Sequence, residues 1–189
     1  DLPLDTVAAA FAVSAAGHGD RPFLCVLPET AAIYGVAAGE LTYRECAHLV
    51  DALRSDYAAA GYGHGHRVGL LLENRPVFWL HWFALNGLGV SVVPIGADLR
   101  LAELEYLIGH SELVLAVAPR ERHDALRQAA VAAGRPMYVV GGEDAPPAAP
   151  FAPPLAAQPV GVRTDATDLA SKLWTAVVGT RTAPLPPLP

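Results

Sequence analysis

The order of apolar runs and helical patterns in this 189-residue chain predicts an α/β fold. The expected form is doubly wound, with a mostly parallel sheet, helices on both faces and an N-terminal hairpin. Three observations carry this. Runs of aliphatic residues at 67–72, 90–93, 113–117 and 137–140 alternate with stretches of helical periodicity. The connections between them are short, which implies right-handed crossovers. The run from Arg67 to Leu72 is apolar without alternation, the mark of a strand covered on both faces of a parallel sheet.

Each element has a local reason. Thr6 to Ala16 is Ala-rich and helical, with Val7, Phe11 and Val13 as its buried side and Gly17 as its stop. Pro22–Pro28 and Ala31–Val36 read as two short strands joined around Glu29-Thr30, and Gly39 turns the chain onward. Thr42-Tyr43-Arg44-Glu45 is a capping box, so a helix starts there; Cys46, Leu49, Val50, Leu53, Tyr57 and Ala60 follow at helical spacing until Gly61. After the strand at 67–72, Asn74 is the expected N-cap and Pro76 sits in the first turn, where a missing N–H costs nothing, giving a helix over Pro76–Leu88 that Gly89 ends. Strand Val90–Val93, helix Leu101–Gly109, strand Leu113–Val117, helix Pro119–Ala133 and strand Met137–Val140 complete the alternation. The domain is therefore expected to span 1–141. Residues 142–164 read as an Ala/Pro-rich linker, and 165–189 as a strand region, Ala166–Val178, followed by a Pro-rich tail.

Composition narrows the function classes. With 52% hydrophobic and 17% charged residues, the chain has material for one sizeable core. A net charge of -6 without any block of Lys and Arg gives nucleic acid or an anionic membrane surface nothing to concentrate on. The longest apolar stretches are too short for a bilayer span, and 77–85 contains His81. No secretory signal is visible at Asp1-Leu2-Pro3-Leu4-Asp5. The two cysteines, Cys25 and Cys46, make no disulfide framework and read as buried thiols, so a cytoplasmic location is expected.

Taken in order, Leu41-Thr42-Tyr43, Gly61 to Val68, Leu70 to Pro76, Leu88 to Ile95, Leu101 to Leu107 and Ser111 to Leu115 resemble the opening of the adenylate-forming (AMP-dependent synthetase/ligase) superfamily. Trp82-Phe83-Ala84-Leu85 and Val92-Val93-Pro94-Ile95 look most like its bacterial acyl-CoA ligases. The resemblance implies the N-terminal subdomain of that fold and a fragment of an acyl-CoA synthetase. Such an enzyme uses ATP and Mg to turn a small carboxylic acid into an acyl-adenylate, with CoA as co-substrate. His66 stands where the family usually has Asp, and Gly96 where it often has Asn.

The larger departure follows Asp168-Leu169-Ala170-Ser171, where the family enters a Gly-, Ser- and Thr-rich loop with a Lys that holds the ATP phosphates. Thr175, Gly179 and Thr180, with Arg181, are the remnants this resemblance offers as cofactor-binding residues; the central glycines and the Lys have no counterpart. Ala176-Val177-Val178 suits a strand better than a phosphate nest, because β-branched residues resist positive φ. The chain alone is therefore expected to be inactive, and no catalytic residue is assigned. Three readings stay open: a ligase fragment that needs a missing C-terminal portion, a non-catalytic remnant or interaction module that could form a homodimer, and, last, a flavodoxin-like module.

Other features read blandly. Gly61 to Gly65 lies between a helix and a strand, the reverse of the order that binds phosphate, so it is a turn. His64 and His66 lack a third ligand nearby and are read as surface loop histidines; no metal is expected there or at Cys46 with His48. Trp79, Trp82 and Phe83 are packing residues, and Glu103 and Glu105 belong to a solvated helix face. The Glu73-Asn74-Arg75-Pro76 turn lies at the carboxyl end of a central strand, where open α/β sheets place ligands, but helix capping is the favoured role.

Overall fold

The alternation predicted from sequence builds a parallel sheet in the order β4-β3-β5-β6, from strands β3 (Arg67–Leu70), β4 (Ser91–Pro94), β5 (Leu115–Val117) and β6 (Tyr138–Val140). The structure, a computed structural model, describes residues 6–150. Helices α1 (Val7–His18), α3 (Tyr43–Ala59) and α4 (Pro76–Gly87) cover one face, and α5 (Leu101–Ser111) and α6 (His123–Ala132) cover the other. Side-chain alternation along the strands makes the division. Val68, Leu70, Leu115 and Val117 point into the first layer, while Leu71, Ala116 and Ala118 point into the second. The continuous apolar run at 67–72 is thus used on both sides, as its lack of alternation predicts.

The hairpin expected around Glu29-Thr30 does not form: an antiparallel strand pair exists, but its second strand is not Ala31–Val36. β1 (Pro22–Val26) pairs antiparallel with β2 (Gly39–Thr42), and Pro28–Tyr34 between them is a helix, α2. Pro28 supplies a preset φ at the helix start, Glu29 sits in the first turn, and Gly35 at φ 64° closes the end with its N–H on the Ala31 carbonyl. These are ordinary start and stop signals. A seven-residue helix is short enough for its apolar residues to pass for a strand.

Other boundaries move for local reasons. α1 runs through Gly17 to His18, and of its expected buried side only Phe11 is buried, stacked 4.3 Å from Phe83; Val7 and Val13 are exposed. Asn74 does not cap α4: Arg75 holds the N-cap position without a side-chain bond, and Pro76 begins the helix. α5 extends to Ser111 and ends on Glu112 in a left-handed conformation, whose carboxylate pairs with Arg67 and Arg135. The helix expected from Pro119 opens with a 3₁₀ turn at Arg120–Arg122. Glu103 is more than a solvated residue, since its carboxylate accepts from the Arg100 amide at 2.8 Å. Cys46 is buried, with its thiol pushed up to about 11 by burial, but Cys25 is exposed. Of the expected stripe on α3, Leu49 is exposed.

The α3 capping box is present in full. Glu45 N–H donates to Thr42 Oγ1 at 3.2 Å, and the Thr42 amide donates to Glu45 Oε2 at 2.8 Å. The Thr42 backbone bond, helped by the Thr42 hydroxyl, holds the Glu45 carboxyl below the usual range. Thr42→Ala is expected to cost about 1 kcal/mol in urea denaturation at neutral pH. Because the folded-state pKa of Glu45 lies below its unfolded value, its contribution is complete above that unfolded value and is lost as pH falls through the lower one. The Thr42→Ala deficit should therefore shrink in acid; a deficit constant with pH would contradict the box.

Candidate functional site

In this topology the chain leaves β3 outward to β4, then crosses back over β3 to β5 and on to β6. The order reverses between β3 and β5, and at such a switch point the segments leaving the strand ends diverge to form a crevice. Three loops meet on this side: 71–75 after β3, 118–119 after β5 and 141–145 after β6. Glu73, at φ 53°, is one of two non-glycine residues with positive φ among the described residues.

Beside these loops, on the α3–α4 face, is a cleft of about 580 Å³. Its floor is apolar: Val26, Leu41, Leu49, Leu53, Val77 and Leu80, from β1, β2, α3 and α4. Carboxylates of Glu40, Asp56, Glu143 and Asp144 and the guanidinium of Arg75 line it as well. Arg75 is engaged: it lies 4.6 Å over the Tyr34 ring and 3.4 Å from both Glu73 Oε1 and the Leu72 carbonyl. Asp144 is likewise committed, its Oδ2 accepting from the Gly141 amide at 2.7 Å. Among the described residues no Ser, Cys, Lys or His lines the cleft, and those that do offer an apolar surface and charge rather than a Ser–His or Cys–His pair.

His81, on the α4 layer behind the cleft, is buried with both ring nitrogens engaged. Tyr57 Oη lies 2.9 Å from Nδ1, and Nε2 lies 2.8 Å from the Gly142 carbonyl. Burial pushes its pKa down, and the Gly142 bond partly opposes this. Burial likewise raises the Tyr57 hydroxyl above its usual value and pushes Tyr62 up to about 12. This network was missed by sequence reasoning. Its signal was there, a lone titratable residue inside the apolar helical run 77–85.

His66 corrects an expectation. It is fully buried rather than a surface loop residue, and its Nδ1 accepts from the Gly63 amide at 3.1 Å, closing the turn before β3. An Asp carboxylate at that position could act as an acceptor in the same way. His64 is exposed. Among the described residues no group of three His, Cys, Asp or Glu is placed to hold a metal, and no helix is long and apolar enough to cross a membrane. Phe83 is buried, and Trp79 and Trp82 are half-buried against the core as packing residues. Thr175, Gly179 and Thr180 lie outside the described residues, as do the strand 166–178 and the Pro-rich tail.

Residues 11–176 match the AMP-binding enzyme family. The chain belongs to that family. A sulfoacetate–CoA ligase of Cupriavidus necator is 32% identical over 130 residues, covering 69% of this chain and 24% of that protein. A crotonobetaine/carnitine–CoA ligase of Proteus mirabilis is 31% identical over 87 residues, 44% of this chain and 17% of that protein. A fatty acyl CoA synthetase of Mycobacterium tuberculosis shares the fold at a TM-score of 0.59 and 20% identity, over 75% of this chain and 27% of that one. The chain thus spans a quarter or less of the length of these two curated relatives. Its parallel sheet and two helical layers are those of the N-terminal domain of adenylate-forming ligases.

Proposed function

We propose that this chain is the N-terminal scaffold of an AMP-forming acyl-CoA ligase, and that it does not activate carboxylates by itself. The observation that supports this is the extent of the family match, which runs from residue 11 to residue 176 and stops short of Gly179 and Thr180. In the complete enzyme, ATP with Mg would convert a small carboxylic acid to its acyl-adenylate, and CoA would then displace AMP. Thr175, Gly179 and Thr180 are the residues of this chain proposed to approach the phosphates. A Gly-rich loop with a cation supplies backbone amides and charge to a triphosphate; Arg181 would be the remaining cation here. The one cation lining the cleft among the described residues, Arg75, is held by Glu73, the Leu72 carbonyl and the Tyr34 ring, which agrees with a scaffolding part. The composition and cysteine usage favour a cytoplasmic enzyme.

A non-catalytic remnant or interaction module is the second reading. It is favoured by the Arg181-Thr182-Ala183-Pro184 tract, which has neither the second glycine nor the Lys of a working phosphate loop. Titration calorimetry with ATP-Mg separates the readings when the 189-residue chain is compared with the same chain extended through its parent reading frame. The extended protein is expected to bind ATP-Mg and form acyl-adenylate, and the 189-residue chain to do neither. Silence from both would overturn the ligase reading in favour of the remnant. Turnover by the shorter chain would overturn the need for a further portion.

A further inference from the structure

Two kinds of surface meet in the cleft that α3 and α4 share with the β1–β2 pair. Its floor is apolar, with Leu41, Leu53 and Val77 half-buried and Val26 and Leu80 buried. Its rim takes carboxylates from three separate parts of the fold: Glu40 on β2, Asp56 on α3, and Glu143 and Asp144 on the turn after β6. Asp144 is occupied, by the Gly141 amide and by Arg120 at 3.4 Å. Glu40, Asp56 and Glu143 are exposed, and among the described residues their carboxylates have neither an ion pair nor a hydrogen bond. The guanidinium of Arg75 is turned to Glu73, the Leu72 carbonyl and the Tyr34 ring, so it does not answer them.

We propose that this cleft binds a small amphipathic amine, its apolar body on the floor and its ammonium group among Glu40, Asp56 and Glu143. A cleft of about 580 Å³ is the size that encloses most of a small molecule. One face of α3 carries both halves of the match. Leu49, Leu53 and Asp56 follow one another at helical spacing, so an apolar strip runs toward a carboxylate on the same side. An alkyl body of about seven carbons covers the roughly 10 Å of helix axis from Leu49 to Asp56.

The charge at the rim selects the head group. An ammonium there keeps part of its water, so its attraction to the carboxylates is not cancelled by desolvation as it would be in the core. A carboxylate head group meets the same three charges as repulsion. The cleft is therefore distinct from any seat for the acid of the proposed ligase reaction, and the inference stands apart from that reading.

NMR titration of the whole 189-residue chain with n-heptylammonium, 1-heptanol and heptanoate tests this, because the three probes share an alkyl body and differ in charge. At low ionic strength heptylammonium should bind about tenfold tighter than heptanol, and heptanoate should bind weakest. Salt at about 0.5 M should remove most of that advantage, since the rim charges are exposed to screening. Shifts should centre on the methyls of Leu41, Leu53, Val77 and Leu80. Glu40→Gln, Asp56→Asn and Glu143→Gln, surface changes that leave the fold intact, should each weaken heptylammonium about two- to fivefold and leave heptanol unchanged. Glu121→Gln, exposed on the 3₁₀ turn and away from the cleft lining, should change neither. Heptanoate binding as tightly as heptylammonium, shifts spread away from the cleft, an ammonium preference that survives the triple substitution, or no heptylammonium binding at about 10 mM overturns the assignment.

Discussion

Leu115→Ala should lower the unfolding free energy by about 2–5 kcal/mol in urea denaturation, with an unchanged slope against denaturant. Leu115 is fully buried on β5, between β3 and β6, and its side chain enters the layer shared with Val68, Leu70 and Val117. The strand is only three residues long, and the α1, α3 and α4 helices pack against this face, so little of the wall can collapse into the space left behind. A loss under 1 kcal/mol would mean that the site relaxes freely and that β5 is not the centre of the core.

Gly69→Val tests the opposite layer by overfilling it. A Cβ on Gly69 would sit 2.7 Å from Ile95 Cδ1, closer than a real Cβ approaches a neighbour, and a tight 3.0 Å from Leu113 Cδ1. The backbone there is ordinary strand, so the cost is packing rather than backbone strain, and about 1–3 kcal/mol is expected for the Val variant. Pairing it with Ile95→Ala should recover part of that loss, because the second change removes the nearest obstructing atoms. Costs that simply add would show that Ile95 is not what Gly69 makes room for.

Much of this architecture was legible because several signals agreed at each element. Residues 67–72 read as a central strand because both faces are covered, and the α3 start was legible because Thr42 and Glu45 cap each other. The failures cluster where a local pattern has two readings. Ala31–Val36 is apolar enough for a strand, and Pro28 and Gly35, which frame it as a helix, are also turn residues. Asn74 is a good N-cap by composition, but Pro76 sets the helix start and leaves Arg75 at the cap. His66 looked like a loop residue because its burial depends on Tyr62, 5.4 Å away ring to ring, and on the turn at Gly63.

The site was less legible than the fold. The cleft joins β1, β2, α3, α4 and the turn after β6, from Val26 to Ala145, 119 residues apart in sequence, so no spacing pattern announces it. His81 was visible as an oddity, yet its partners Tyr57 and Gly142 lie 24 and 61 residues away. Thr175, Gly179 and Thr180, proposed from family resemblance to approach the phosphates, lie outside the described residues.

The exchange of labelled pyrophosphate into ATP, measured with the purified 189-residue chain over a panel of short and medium carboxylic acids, separates scaffold from enzyme. No acid-dependent exchange above the protein-free background is expected. Exchange that depends on both the acid and Mg would show that this chain activates carboxylates unaided, and would contradict its reading as a scaffold.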